Sequence, residues 1–181
     1  ALAAVLGVLL EHGVGGGAAA GEKISVAFAG QNKTTVADSS GKWSVKLSPM
    51  KASFTPREMT IKGTNTIVLK NILVGEVCLC SGQSNMEYAM RKYSKFDTAV
   101  KGYKTPEDDL NKANNTNIRI FLDRRKYMEP SPEHLGWDSA MGKPLVDFSA
   151  VGYYFAKDLY AKLHVPIGMI SAAIPGSRIE P

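Results

Sequence analysis

From Gly21 to about Val74 apolar and polar residues alternate with a period of two. Ile24, Val26 and Phe28 alternate with small or polar neighbours, and Gly30-Gln31-Asn32 supplies a turn. Val36 leads into a second turn at Asp38-Ser39-Ser40-Gly41, after which Trp43, Val45 and Leu47 resume the pattern. Met59 and Ile61 precede the turn residues Gly63 to Asn65, and Ile67 and Leu69 follow them. A period of two puts successive side chains on opposite faces of a strand, so that one face is apolar and the other wet. Short strands of this kind, separated by Gly, Asn, Asp and Ser clusters, predict an antiparallel sheet or sandwich.

Near Gly75 the pattern changes. Val77 to Cys80 is a continuous apolar run, as expected of a strand buried on both faces. Residues 91–117, rich in Lys, Asp and Asn, predict loop and irregular helix, and Ile118 to Leu122 predicts a second short strand. Pro130, Pro132, Gly136, Gly142 and Pro144 mark residues 123–146 as a long surface loop. Phe148, Val151, Phe155, Leu159 and Leu163 recur at spacings of three and four, which predicts a helix. Asp147 or Ser149 can cap its start, and Pro166 marks its end. Ile167 to Ala173 reads as another buried strand. Strand, long connection, strand, helix, strand implies a parallel sheet with crossover helices.

The predicted fold class is therefore α/β. A small antiparallel β-sandwich-like domain covers residues 21–73, and part of a parallel α/β domain covers residues 74–181. The apolar start, Ala1 to Leu10, and the Gly/Ala-rich stretch after it are either a trimmed secretion signal or a degraded first strand. The run is too short to span a bilayer, so no membrane span is expected.

Composition fits a soluble globular protein of 181 residues, 44% hydrophobic and 22% charged. The formal net charge is +5, but the 22 basic residues are spread along the chain with no dense run. This argues against a nucleic-acid partner, which would be read by a concentrated patch or stripe. Cys78 and Cys80 lie two apart, on one face of any strand that carries them. A disulfide between them would be strained, so they are expected to be buried thiols.

Ligands of a parallel sheet collect beyond the carboxyl ends of its strands. Ser81 to Met86 follows the first such strand and Ile174 to Ile179 the last, so both segments are expected on one rim. Within the first, Gly82 permits a sharp turn, Ser84 is a candidate nucleophile, and Gln83 and Asn85 bring side-chain amide donors close to it. The competing reading is a polar loop in which Ser84 or Asn85 caps a helix, and spacing alone favours it.

The stretch Leu73-Val74-Gly75-Glu76-Val77-Cys78-Leu79-Cys80-Ser81-Gly82-Gln83-Ser84-Asn85-Met86-Glu87 closely resembles the nucleophile segment of the sialate O-acetylesterases, members of the SGNH (GDSL-like) hydrolase superfamily. Phe148 to Ala156 is similar to that family's helix, and Val165 to Ile170 to its next strand. Gly176-Ser177-Arg178-Ile179-Glu180-Pro181 resembles its Gly-Thr-Arg-Ile-Glu-Pro, and the segment from Gly21 to Asn71 its preceding β domain. The resemblance runs from about Gly21 to the C-terminus. It implies a flavodoxin-like SGNH hydrolase domain that removes acetyl groups from O-acetylated carbohydrates, such as sialic acid or polysaccharide, without metal or organic cofactor. Ser84 would be the nucleophile and, through its own N–H, an oxyanion donor. Gly176 would lie in the loop that supplies a second donor, and Arg178 and Glu180 would shape that loop or hold substrate. A secreted or periplasmic location is what the resemblance suggests.

The sequence departs from the family in three places. Ile174-Pro175-Gly176 stands where the family has Trp-Gly-Gly, and proline has no N–H to donate. Loss of one oxyanion donor costs roughly a hundredfold to a thousandfold in rate. Cys78 replaces a usual tryptophan. The family's Asp-x-x-His motif, which carries the catalytic Asp and His, is expected beyond Pro181. His12, His134 and His164 are poor substitutes, the last because it is expected on the rim opposite Ser84. A non-catalytic carbohydrate-binding or pseudo-enzyme fragment is thus the rival reading. A parallel sheet cut off partway is also expected to leave an exposed edge and to be marginal as a monomer.

Overall fold

The computed structural model describes residues 4–7, 13–91, 105–124, 129–130, 136–174 and 176. Strands β1 (Ala4–Gly7), β2 (Gly13–Gly17), β3 (Lys23–Phe28), β4 (Gln31–Val36), β5 (Lys42–Lys46), β6 (Ser53–Lys62) and β7 (Thr66–Cys80) come first. They are followed by α1 (Ser84–Glu87), α2 (Glu107–Leu110), β8 (Ile118–Arg124), β9 (Glu129–Pro130), β10 (Asp138–Ser139), α3 (Lys143–Val146), α4 (Ala150–Leu163) and β11 (Ile167–Ser171). Among the described residues one sheet runs in the order β10-β8-β11-β7-β6-β3-β4, with β1 beside β7 and β9 beside β8. Strands β2 and β5 form a separate ribbon. The chain is a mixed α/β protein rich in strands.

The predicted alternation sets the antiparallel half. Ile24, Val26 and Phe28 of β3 point inward with Met59 of β6 and Ile72 and Val74 of β7. Val45 of the ribbon and Leu47 just after it close over them. The second predicted turn is held by Asp38, whose Oδ1 accepts from the Ser40 N–H at 2.8 Å, the Ser40 hydroxyl at 2.7 Å and the Lys42 N–H at 2.9 Å. Strand structure begins earlier than the alternation suggests, since Gly13–Gly17 pairs antiparallel with β5.

The change of pattern at Gly75 marks a change of partner within one strand. β7 pairs antiparallel with β6 from Lys62↔Thr66 to Ser53↔Val74. It then pairs in parallel with β11 from Ile167↔Glu76 to Ser171↔Cys80. At the handover the Glu76 N–H donates to the Pro166 carbonyl at 2.9 Å. That carbonyl occupies the space a side chain at Gly75 would need. Arg119 of β8 bridges the two halves: its Nε donates to the Thr116 carbonyl at 2.6 Å and its guanidinium reaches Asn71 Oδ1 at 3.2 Å. Burial draws this guanidinium's pKa below its ordinary value.

The parallel half packs Ile118 and Ile120 of β8, Ile167 and Met169 of β11 and Cys80 of β7 against α4. The inward face of α4 differs from the predicted one. Ala150, Gly152, Tyr153 and Ala156 are buried, whereas Val151, Phe155 and Leu163 are about half exposed, at 48%, 52% and 48%. Small residues win this face because they let the helix axis approach the sheet. A Cβ added at Gly152 would lie 2.9 Å from Cys80 Sγ. Ser149 caps α4 as expected, its hydroxyl accepting the Gly152 N–H at 3.1 Å. The predicted long surface loop is also corrected over residues 136–146. That stretch holds β10 and α3 and buries Ala140 and Leu145, Pro144 being compatible with a helix's first turn. Cys78 and Cys80 are free thiols, the second buried. Desolvation raises the pKa of both.

Helix α2 is tied to α4 by the Tyr154 hydroxyl, which donates to Asp109 Oδ2 at 3.1 Å. Burial, and then this bond, push the Tyr154 pKa up from 10.0 to about 12. A raised folded-state pKa means that the stability Tyr154 contributes is complete below its unfolded value near 10 and is lost as pH rises through about 12. Thermal melts of the wild type and Tyr154→Phe should therefore converge across that window and stay apart at neutral pH. A gap that does not narrow would show that the bond does not report on Tyr154 ionisation.

Candidate active site

Strand β7 ends at Cys80, and the chain turns where Gly82 takes φ +146°, a region that L side chains rarely enter. Gln83 is extended, with φ −107° and ψ −152°, and occupies the N-cap of α1 without a side-chain cap bond. Ser84 is thus the first residue of the helix rather than its cap. The single turn closes through the Glu87 N–H on the Gln83 carbonyl at 3.0 Å and the Tyr88 N–H on the Ser84 carbonyl at 2.9 Å. The N–H groups of Ser84, Asn85 and Met86 have no acceptor inside so short a helix. Gln83, Ser84 and Asn85 are all exposed.

The structure brings the first predicted segment and the start of the second, Ile174, together on one rim. Cys80 and Ser171 are register partners at the carboxyl ends of parallel β7 and β11. Beyond them the Ala172 N–H donates to the Cys80 carbonyl at 2.9 Å. The Ile174 N–H then donates to the Gly82 carbonyl at 3.0 Å. The loop that leads to Gly176 is therefore hydrogen-bonded directly to the turn that presents Ser84. Gly176 is exposed, while Pro175, Arg178 and Glu180 lie outside the described residues.

A second set of contacts, which the residue pattern did not reveal, holds the Ser84 turn from behind. The Met90 N–H donates to the Phe148 carbonyl at 3.0 Å and the Ala150 N–H to the Tyr88 carbonyl at 2.8 Å. Arg91 Nε lies 2.9 Å from Asp147 Oδ1. Ser149 Oγ is 3.7 Å from Met86 Sδ, and Met86 in turn packs under Gly82. The sequence signal for this clamp was Asp147 and Ser149 as alternative caps. Both are used, but only Ser149 caps.

Ser149→Ala removes the cap, which costs about 1 kcal/mol, or roughly 2–4 °C in melting temperature for a chain of this size. Ser149→Thr keeps the cap hydroxyl at this buried position without burying a charge and should recover most of the loss in a thermal melt. A threonine variant no more stable than alanine would show that the cap bond does not carry the cost.

The histidine found among the described residues is His164, the left-handed C-cap of α4 with φ 54°. It precedes β11, so the length of that strand, roughly 13 Å, separates it from the rim that carries Ser84. His12 and His134 lie outside the described residues. No group of His, Cys, Asp and Glu among the described residues could hold a metal ion. No helix among them is long and apolar enough to cross a membrane.

The chain is 30% identical over 161 residues to the sialate O-acetylesterase of Rattus norvegicus, covering 81% of this chain and 28% of that protein. It is also 30% identical over 161 residues to the Homo sapiens sialate O-acetylesterase, covering 81% and 29% respectively. A crystal structure of a carbohydrate acetylesterase from Xanthomonas citri superposes with a TM-score of 0.80 at 30% identity. That match covers 99% of this chain and 40% of the other. Over 81% of its length the chain is similar to sialate O-acetylesterases. No family model matches it. It spans under a third of the length of the curated sialate O-acetylesterases it matches.

Proposed function

We propose that this chain carries the nucleophile segment of a carbohydrate O-acetylesterase with an SGNH-type serine mechanism. The observation that supports this best is an exposed Ser84 on a tight turn at the carboxyl rim, hydrogen-bonded through Gly82 to the loop bearing Gly176. Ser84 Oγ attacks the acetyl carbonyl, its proton passing to a base. The Ser84 N–H and the Gly176 N–H stabilise the oxyanion, and the Gln83 and Asn85 amides orient the ester. The C–O bond to the sugar breaks, the sugar hydroxyl leaves with the proton, and water releases acetate from the acyl-serine. Arg178 and Glu180 hold the carbohydrate. In this reading residues 21–73 form the sandwich-like part and residues 74–181 the first part of the hydrolase domain, and the protein works in a secreted or periplasmic setting.

A second reading is favoured by one observation. His164 sits on the far rim, so the described residues supply no histidine base to Ser84. Pro175, in addition, lacks the N–H that the family's glycine would offer. The chain would then bind acetylated sugar without turning it over. Quenching a reaction with an O-acetylated sialic acid and mapping the peptides by mass spectrometry separates the two. Acetyl on the peptide containing Ser84 is the esterase result, and sugar bound with no acetyl-enzyme and no acetate released is the binding-module result.

A further inference from the structure

The outer face of the antiparallel half carries an open groove of about 650 Å³, far from Ser84 at the other end of β7. Its floor follows from strand parity. Ile24, Val26 and Phe28 point to the core, so Lys23 and Ser25 point outward. Register places Lys62 and Thr34 on either side of Ser25, in one row across β6, β3 and β4. Val36 stands opposite Lys23 in the next row, 54% exposed. Lys23 is thus the diagonal neighbour of Lys62, a separation of about 7–8 Å between strands. Two ammonium groups so placed give this face a local positive charge that would attract an anion.

The described residues around them supply no counter-charge. Among the described residues neither Lys23 nor Lys62 has a carboxylate within ion-pair distance. Glu22, the acid next in sequence, is turned to the backbone, accepting the Thr64 N–H at 2.6 Å and the Ala19 N–H at 3.0 Å. An inorganic anion would use only the two ammonium groups. The groove is open to solvent, so a small organic molecule would lie along it with one side still wet. The groove's hydroxyl row and the apolar Val36 match a molecule with hydroxyls on one edge and a C–H face on another.

The geometry points to an accessory binding site here for a carbohydrate bearing a carboxylate, with Lys23 and Lys62 on the carboxylate, Ser25 and Thr34 on sugar hydroxyls, and Val36 under the ring. This site is independent of the Ser84 chemistry and serves to hold an acidic glycan against the protein.

The test is a ¹H–¹⁵N NMR titration of the full chain with N-acetylneuraminic acid, its uncharged relative N-acetylmannosamine, and inorganic phosphate. The expected result is shifts at the Ser25, Thr34, Lys62 and Gly63 amides with N-acetylneuraminic acid alone, weakened by salt. Lys62→Gln and Lys23→Gln should each weaken that binding about fivefold, the scale of an exposed charge contact. Equal shifts with phosphate would overturn the sugar assignment, and equal shifts with N-acetylmannosamine would overturn the role of the lysines. Shifts confined to residues near Ser84, or none at all, would overturn the site itself. None of these outcomes depends on ester turnover, so failure here is distinct from failure of the esterase reading.

Discussion

Ser84→Ala is expected to abolish release of acetate from an O-acetylated sugar, lowering kcat by about 10⁴–10⁶ if a complete serine machinery acts on it. The magnitude follows from what is lost. Without the hydroxyl no acyl-enzyme can form, and only oxyanion contacts and substrate binding remain to assist water. The fold should not change. Ser84 is exposed, and among the described residues its hydroxyl makes no hydrogen bond that holds the turn together. Melting temperature and sugar affinity should therefore match the wild type while turnover disappears. Turnover that survives the substitution would remove Ser84 from the chemistry. Equal inactivity in both proteins, with sugar binding intact, would favour the binding-module reading.

How much of this was legible in the sequence differs by element. The alternating strands were readable because one face of each is buried and the other wet, a pattern written directly into Ile24, Val26 and Phe28. The rim was readable because its two segments each follow an apolar run. The first run is not buried on both faces as expected, since Leu79 is 66% exposed and only Cys80 at its end is buried. The face of α4 was not. Periodicity reports where large apolar residues fall, but this helix approaches its sheet through Gly152 and Ala156, which carry almost no hydrophobic signal. Val151 and Phe155 gave the stronger pattern and point outward. The short elements within residues 136–146 were hidden for a related reason, since Gly142 and Pro144 punctuate a loop and open a helix equally well. The clamp behind Ser84 depends on backbone bonds between residues about sixty apart, and composition does not record these.

The continuity of β7 was the least legible feature, and it carries the other large effect. Replacing Gly75 by alanine is expected to destabilise the chain by about 3 kcal/mol or more, because the added methyl has nowhere to go. It would meet the Pro166 carbonyl, which belongs to the backbone and already accepts the Glu76 N–H at 2.9 Å. A side chain can rotate away from a clash, but here β7 and the start of β11 must separate. That separation would break the first parallel pair, Ile167↔Glu76, on which the register down to Cys80 and Ser171 depends. The same change at Gly17, where an added Cβ would meet nothing within 4 Å, is the control and should stay within about 0.5 kcal/mol. Denaturant melts of both variants make the comparison. A Gly75→Ala protein as stable as Gly17→Ala would mean that β7 and β11 are not packed closely at this point. The rim that aligns Ser84 with the Gly176 loop would then need another source of rigidity.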